Sequence, residues 1–361
     1  MYKAEILADS LSPQGDRLTT MKITFPRIVL AEAKTHRIIS GLGEEVEISQ
    51  SLGLNDEFNF SRNSASSRAI PFNKMVQMVQ ENPFIPIAWQ KDHKGMQGTE
   101  YWSDKLNVEA KEGEWLIARN HAINQATQLS SMGVTKQLCN RLLEPFMWHT
   151  VIVSATEWDN FFNLRCPQYS IEGNNGVKKF RSKKDAKKNF PKEFDHLQGL
   201  DWLQINQSQA DIHIQAIAEL MWDAYNESTP KQLKEGEWHI PFGDIFDLEK
   251  LIDIVPFDTH DEKEFVKNAK IKIATARCAR ISYQTLGDNP KIDYEADLRL
   301  HDTLAKSGHW SPFEHVARAM SDEEYYGQFS KQEGANNIES GWCRNFRGFI
   351  QYRHLIENNY E

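Results

Sequence analysis

The sequence predicts an α+β protein, and three observations carry that prediction. Two β-branched runs, Thr20 to Phe25 and Thr150 to Val153, read as strands. Apolar residues recur at helical spacing from Trp115 to Met132, from Ala210 to Tyr225 and from Tyr294 to Lys306. The chain of 361 residues, 40% hydrophobic and 26% charged, is long enough to bury a sizeable core. That core belongs to one large or two modest domains, and the polar, acidic stretch at about 226–265 reads as a connector.

The elements follow in order. Pro26 stops the first strand, and Arg27 to Arg37 continues as a helix with Pro26 in its first turn. Gly41 to Asn59 reads as a loop, Asn73 to Gln80 as a short amphipathic helix, and Pro83 to Tyr101 as an irregular loop. Gly133 caps the helix that ends near Met132, and Thr135 opens another that Pro145 ends. After the second strand, Thr156 and Asp159 resemble a capping box before Phe161, Phe162 and Leu164. Gly173-Asn174-Asn175-Gly176 marks a hairpin, and Ser182 with Asp185 starts a lysine-rich helix. A short helix is expected near Asp247 to Ile254, and the run Asn345 to His354 has apolar residues at helical spacing.

Composition excludes several classes. A formal charge of -9 argues against a general nucleic-acid coat, and no direct nucleic-acid partner is expected. No apolar run approaches membrane-spanning length and the start MYKAEILADSLSPQGD has no signal pattern, so a cytoplasmic protein is expected, in the host cytoplasm if viral. The four cysteines are too far apart for a paired metal or redox motif and are expected to be reduced and structural. His309 and His315 lack a third ligand nearby, so no metal is expected.

One stretch stands apart. Ser61-Arg62-Asn63-Ser64-Ala65-Ser66-Ser67-Arg68 places small polar residues between two guanidinium groups. It reads either as a solvated loop or as an anion site, with hydroxyl and N–H donors from Ser66 and Ser67 and a donor fork from Arg68. Arg165 likewise reads two ways, as a charge that stabilises the end of its helix or as a ligand contact. The basic run from Lys178 to Lys188 is either a solvated face or a surface that steers a polyanion such as nucleotide or polyglutamylated folate.

Thr35-His36-Arg37 with Ser61-x-Asn63-x-x-Ser66-x-Arg68 resembles the signature of the flavin-dependent thymidylate synthase family, interrupted by about twenty residues. Arg141-Leu142-Leu143-Glu144-Pro145, Ser154-Ala155-Thr156 and Asn160-Phe161-Phe162-Asn163-Leu164-Arg165 resemble its Arg-x-x-Leu-Pro helix end, Asn-x-Arg strand and Asn-Phe-Leu-x-Leu-Arg helix. Ala276 to Tyr283 and Gly308-His309-Trp310-Ser311-Pro312-Phe313-Glu314-His315 resemble the two motifs that open the family; here, within 271–315, they follow the rest, in circularly permuted, phage-type order.

The resemblance implies the family's fold as a single catalytic domain over 1–361, with an insertion at about 166–208 and the connector at about 226–265, and its reaction, dUMP to dTMP with FAD, methylenetetrahydrofolate and NADPH, in a homotetramer that shares each site between subunits. It implies that Ser64, Ser66, Ser67, Arg68, Arg141 and Arg165 hold the nucleotide, Arg165 favouring an ionised N3, and that Thr35, His36, Arg37, Ser154, Thr156, Asn160, His309, Ser311 and Glu314 surround the flavin. Several positions depart from the family. Glu32 stands for Gln, Thr35 for Arg, Ser64 for Glu, and Ser154 and Thr156 for Asn and Arg. Gln351 and Arg353 offer the missing side-chain types from the carboxyl end, unless Arg353 only complements a helix dipole. Two alternatives stay open: a flavin- and folate-dependent hydroxymethylase or methylase of dUMP or dCMP for DNA modification, and a non-catalytic nucleotide-binding or scaffold protein.

Overall fold

Alternation of small β-branched and polar residues makes the amino-terminal segment a hairpin. β1 (Lys3–Leu11) and β2 (Arg17–Pro26) pair antiparallel around a turn in which Gly15 takes φ +96°. The structure, a computed structural model, describes residues 1–30, 61–64, 66–67, 69–94, 98–173, 176–243, 246–254, 261–281, 293–328 and 341–357. β3 (Ser61–Ser64), β4 (Trp148–Ala155) and a short β7 (Lys231–Gln232) complete a five-stranded sheet of order β3-β4-β2-β1-β7. A three-stranded sheet, β12 (Phe349–Gln351), β9 (Ala317–Ala319) and β8 (Trp238–His239), lies behind it. Two ribbons stand apart, β5 (Tyr169–Gly173) with β6 (Gly176–Phe180) and β10 (Trp342–Cys343) with β11 (Phe346–Arg347). The class is mixed α+β, as expected.

The period-two alternation of β2 and β4 gives the main sheet two buried faces. Met21, Ile23, Phe25, Val151 and Ala155 pack on the helices Asp159–Arg165 and Ile212–Glu227. On the other face Ile152 meets Ile273, Ala274 and Cys278 of the helix Glu262–Arg280, with Tyr294 and Val316. Below the sheet edge, helices Phe72–Glu81 and Lys105–Ser131 and the 3-10 helix Asn140–Phe146 enclose a third cluster around Met75, Ile123, Leu143 and Phe146.

Several expectations need correction. β1 was not anticipated, and the helix expected at Trp115 begins at Lys105, where the Asp104 carboxylate accepts from the Asn107 N–H. Pro145 does not end the helix opened at Thr135; it lies inside a 3-10 turn that runs on to Phe146. The helix after β4 starts at Asp159 with Trp158, not Thr156, as its N-cap residue. The expected carboxyl-terminal helix is instead β11, β12 and a short helix Tyr352–Glu357, because Gly348 at φ +75° turns the chain between the strands. Of the helix expected from Arg27 to Arg37, a 3-10 turn Arg27–Val29 is seen, and the remainder from Ala31 lies outside the described residues, as does the loop 41–59.

Between the two sheets runs a buried polar chain. The Ser10 hydroxyl shares a hydrogen bond with His239 Nδ1 (2.9 Å), His239 Nε2 with Thr20 Oγ1 (2.8 Å), Thr20 Oγ1 with Ser154 Oγ (2.7 Å), and Ser154 Oγ with His315 Nδ1 (2.8 Å). Burial holds both imidazoles far below their ordinary value, to about 3, the nearby His239 lowering His315 further and Asp9 partly opposing the shift at His239. The rings are therefore neutral in the folded protein, whereas in the unfolded chain they take up protons below about pH 6.5. A depressed histidine contributes stability that is full above its unfolded value and lost as pH falls toward 3, at about 1.4 kcal/mol per pH unit for each ring. Urea unfolding of His315→Gln between pH 6 and 4 is expected to show a pH slope about 1.4 kcal/mol per unit shallower than wild type. Equal slopes would exclude His315 as the titrating group.

Candidate functional site

The polar stretch after β3 is held from below by the 3-10 helix. The buried Asn140 amide donates to the carbonyls of Ser67 (2.6 Å) and Ile70 (3.0 Å), and Lys136 Nζ donates to the Ala69 carbonyl (3.1 Å). The Ala69 N–H donates to the Ser66 carbonyl (3.0 Å), closing a turn. Ser66 is half-buried, and the buried Ser67 hydroxyl donates to Glu144 Oε1 (2.7 Å). Arg27 reaches the same carboxylate oxygen (3.4 Å) and shares a hydrogen bond with His149 Nδ1 (3.0 Å). Burial pulls the Arg27 guanidinium below its usual value; Glu144 opposes this, and the positive charge of Arg141 adds to it. Arg141 itself is exposed on the 3-10 helix. Two guanidinium groups that repel each other lie beside this turn; the Glu144 carboxylate meets Arg27, and the exposed Arg141 is left to face an anion from solvent.

Asn140, Glu144, Arg27 and His149 were missed in the sequence. Glu144 had a signal, since it replaces the leucine of the resembled Arg-x-x-Leu-Pro string. His149 carries none, because only its register on β4 opposite Phe25 brings it beside Arg27. Arg165 ends the helix Asp159–Arg165; its Nε is buried and has no hydrogen-bond partner among the described residues. Asn160 is half-buried on the same helix. Thr35, His36, Arg37 and Arg68, together with the side chain of Ser64, lie outside the described residues.

The remaining expected flavin contacts divide. His309 and Ser311 are exposed at the corner after the helix Tyr294–Ser307, His309 Nδ1 sharing a hydrogen bond with the Ser307 hydroxyl (2.9 Å). Ser154, Thr156 and Glu314 point inward and are taken by protein partners. Ser154 sits wholly buried in the polar chain between the sheets, and Thr156 Oγ1 accepts from the Arg347 N–H (3.2 Å). Glu314 is paired with Arg353 Nη1, whose Nε donates to Glu357 (3.0 Å). Arg353 is thus held in an ion-pair network, and the buried Gln351 donates to Ser61 Oγ (2.8 Å) and the Glu314 carbonyl (3.2 Å). The pair proposed to replace missing nucleotide contacts serves the fold instead.

No family model matches the chain, and no curated protein matches it. Solved structures do. The crystal structure of a UMP/dUMP methylase PolB from Streptomyces cacaoi bound with 5-Br UMP is similar at 11% identity, over 63% of this chain and 89% of that one, with a TM-score of 0.37. The same methylase bound with 5-Br dUMP is similar at 10% identity, over 63% and 91%, with a TM-score of 0.39. A likeness of that depth assigns no residue here a role.

All four cysteines are free and buried. Burial pushes the thiols of Cys166 and Cys278 well above their ordinary range and Cys343 up to about 12. A thiolate nucleophile needs the opposite environment. Among the described residues no group of three or more His, Cys, Asp and Glu is arranged to hold a metal ion, and no helix is long and apolar enough to cross a membrane.

Two substitutions test this geometry. Asn140→Ala removes both carbonyl contacts under the turn and is expected to cost about 1 to 3 kcal/mol of stability in urea unfolding, with weakened anion binding. Arg165→Ala is expected to cost on the order of 2 to 5 kcal/mol in nucleotide binding by calorimetry, against a few tenths for a helix-end charge, with the melting temperature unchanged. Normal binding by Arg165→Ala would leave only the helix-end role.

Proposed function

We propose that the protein is a flavin-dependent pyrimidine nucleotide methylase of the thymidylate synthase type, converting dUMP to dTMP with methylenetetrahydrofolate as carbon donor and NADPH as reductant. One observation carries the reading: motif fragments far apart in the chain meet on β3 and β4. Asn63 donates to the Cys278 carbonyl (2.8 Å) and Ser154 meets His315, across 215 and 161 residues. Such contacts are what a permuted order of the resembled motifs requires.

In this reading Ser66, Ser67, Arg68 and Arg141 hold the phosphate and Arg165 holds the pyrimidine. The exposed His309 and Ser311 and the half-buried Asn160 fit a flavin, with His36 and Arg37 as further candidates; Ser154, Thr156 and Glu314, turned inward, do not. When bound, reduced FAD supplies the hydride. The chain's own residues bind and orient the nucleotide and hold negative charge on its base, so that no cysteine attack at C6 is needed. Leu138 and Leu142, 57% and 42% exposed beside Arg141, offer an apolar rim that a second copy would cover in the proposed homotetramer.

Purified protein given FAD, NADPH and isotopically labelled methylenetetrahydrofolate is expected to place the label on C5 of dUMP, read by mass spectrometry. Label on dCMP alone would move the assignment to cytosine, and a colourless protein that retains no FAD and labels neither nucleotide would leave a non-catalytic binding role. Replacing Cys139, Cys166, Cys278 and Cys343 together by serine is expected to leave measurable turnover. Complete loss from one single change, with folding intact, would overturn the mechanism.

A further inference from the structure

The inserted segment builds a module of its own. The ribbon β5–β6 and the short helices Lys183–Asn189, Pro191–Phe194 and Asp201–Gln204 close over a separate core of Tyr169, Phe180, Ala186, Phe194 and Trp202. Between residues 166 and 208 eight Lys and Arg stand against five Asp and Glu, a net charge of +3 within a chain of -9. Three of the basic residues face the body of the protein. Lys183 pairs with Glu219 (3.3 Å), Lys184 pairs with Glu227, and Arg181 reaches Asn163 and lies 4.7 Å over the Trp222 ring.

The other five, Lys178, Lys179, Lys187, Lys188 and Lys192, have no carboxylate partner among the described residues, and all but the half-buried Lys187 are exposed. Lys178 lies 4.7 Å over the Phe190 ring and Lys187 5.8 Å over Trp202, so the rim of the module's core positions these two ammonium groups. We propose that this module is a docking surface for the phosphate backbone of double-stranded nucleic acid. The inference is independent of the proposed reaction, and it sets a local cationic face against the expectation drawn from net charge.

Three features select this partner. The charges are lysines, which attract phosphate as point charges, while the module's one arginine is turned inward, so no guanidinium is offered for bidentate reading of guanine. Four of the module's large rings, Tyr169, Phe180, Phe194 and Trp202, are buried and the fifth, Phe190, is half-buried under Lys178, which leaves no open run of aromatics for the stacking that single strands use. β6 is exposed from Gly176 to Lys179, and a two-stranded ribbon of this kind is narrow enough to enter a major groove. Binding should therefore be independent of sequence and steep in salt, with a slope of log K against log salt near about -4.5 if each lysine neutralises one phosphate.

Fluorescence anisotropy of the full-length protein with a labelled 20-base-pair duplex tests this, alongside a variant carrying Lys→Gln at positions 178, 179, 187, 188 and 192. The expected result is salt-dependent duplex binding by wild type that the variant weakens at least tenfold, with its melting temperature retained. A pair of double variants, Lys178→Gln with Lys179→Gln and Lys188→Gln with Lys192→Gln, replaces the fivefold variant if that one does not fold. Absence of wild-type binding at 50 mM salt, or binding that the variants leave intact, would overturn the proposal. So would tighter binding to the single strand, or equal binding to poly-glutamate of matched charge.

Discussion

The fold depends on what β3 can accept. Among the described residues this four-residue strand pairs with β4 alone, in the register Ser61 to Ser154, and its side chains serve as the joint for elements contributed from the carboxyl half. Ser61 Oγ accepts from both Asn345 (3.0 Å) and Gln351 (2.8 Å), while Asn63 donates to the helix Glu262–Arg280. Replacing this buried hydroxyl by an apolar group takes an acceptor from both amides, Gln351 keeping its bond to the Glu314 carbonyl, at a cost of about 1 to 3 kcal/mol for a group left unsatisfied. The same strand leads directly into the Ser66–Ser67 turn, so the joint that binds the chain's end also positions the candidate anion site.

Around that joint the polar groups are arranged by burial. The helix Glu262–Arg280 is locked to its neighbour by the buried pair Arg277 and Asp297 and by Arg280, 2.6 Å from the same carboxylate. Removing one partner from a pair this deep costs about 3 to 5 kcal/mol, because the other charge is left unpaired. Thus the arginines of the resembled opening motif hold helices together, as Ser154 and His315 hold sheets together. Among the described residues Arg141, His309 and Ser311 face outward, where a ligand can bond with them.

How much of this was legible follows from local physics. The helices Ile212–Glu227 and Tyr294–Ser307 were readable because apolar spacing and caps agree, Asp211 accepting from the His213 N–H and Gly308 taking φ +70°, while Phe72–Glu81 follows Pro71 and rests on apolar spacing alone. β1 was hidden by Lys3, Glu5 and Asp9, whose charges are met by neighbours, Glu5 by Lys3 and Lys22 and Asp9 by Arg17. Phe346, Phe349 and Ile350 fit a helix or two short strands equally well, and only the turn at Gly348 decides between them. At the site, the sequence pointed to the serine turn and to Arg141. It could not reveal that Ser154 faces inward, because a strand's two faces are distinguished only by what packs on them.

The central claim is that β3 couples the chain's distant parts into one site, and a double-mutant cycle between Ser61 and Gln351 tests it most directly. Ser61→Ala, Gln351→Met and the double variant would be compared by urea unfolding. Direct contact predicts a coupling energy of about 0.5 to 3 kcal/mol between the two changes. Additivity within about 0.3 to 0.5 kcal/mol would contradict it.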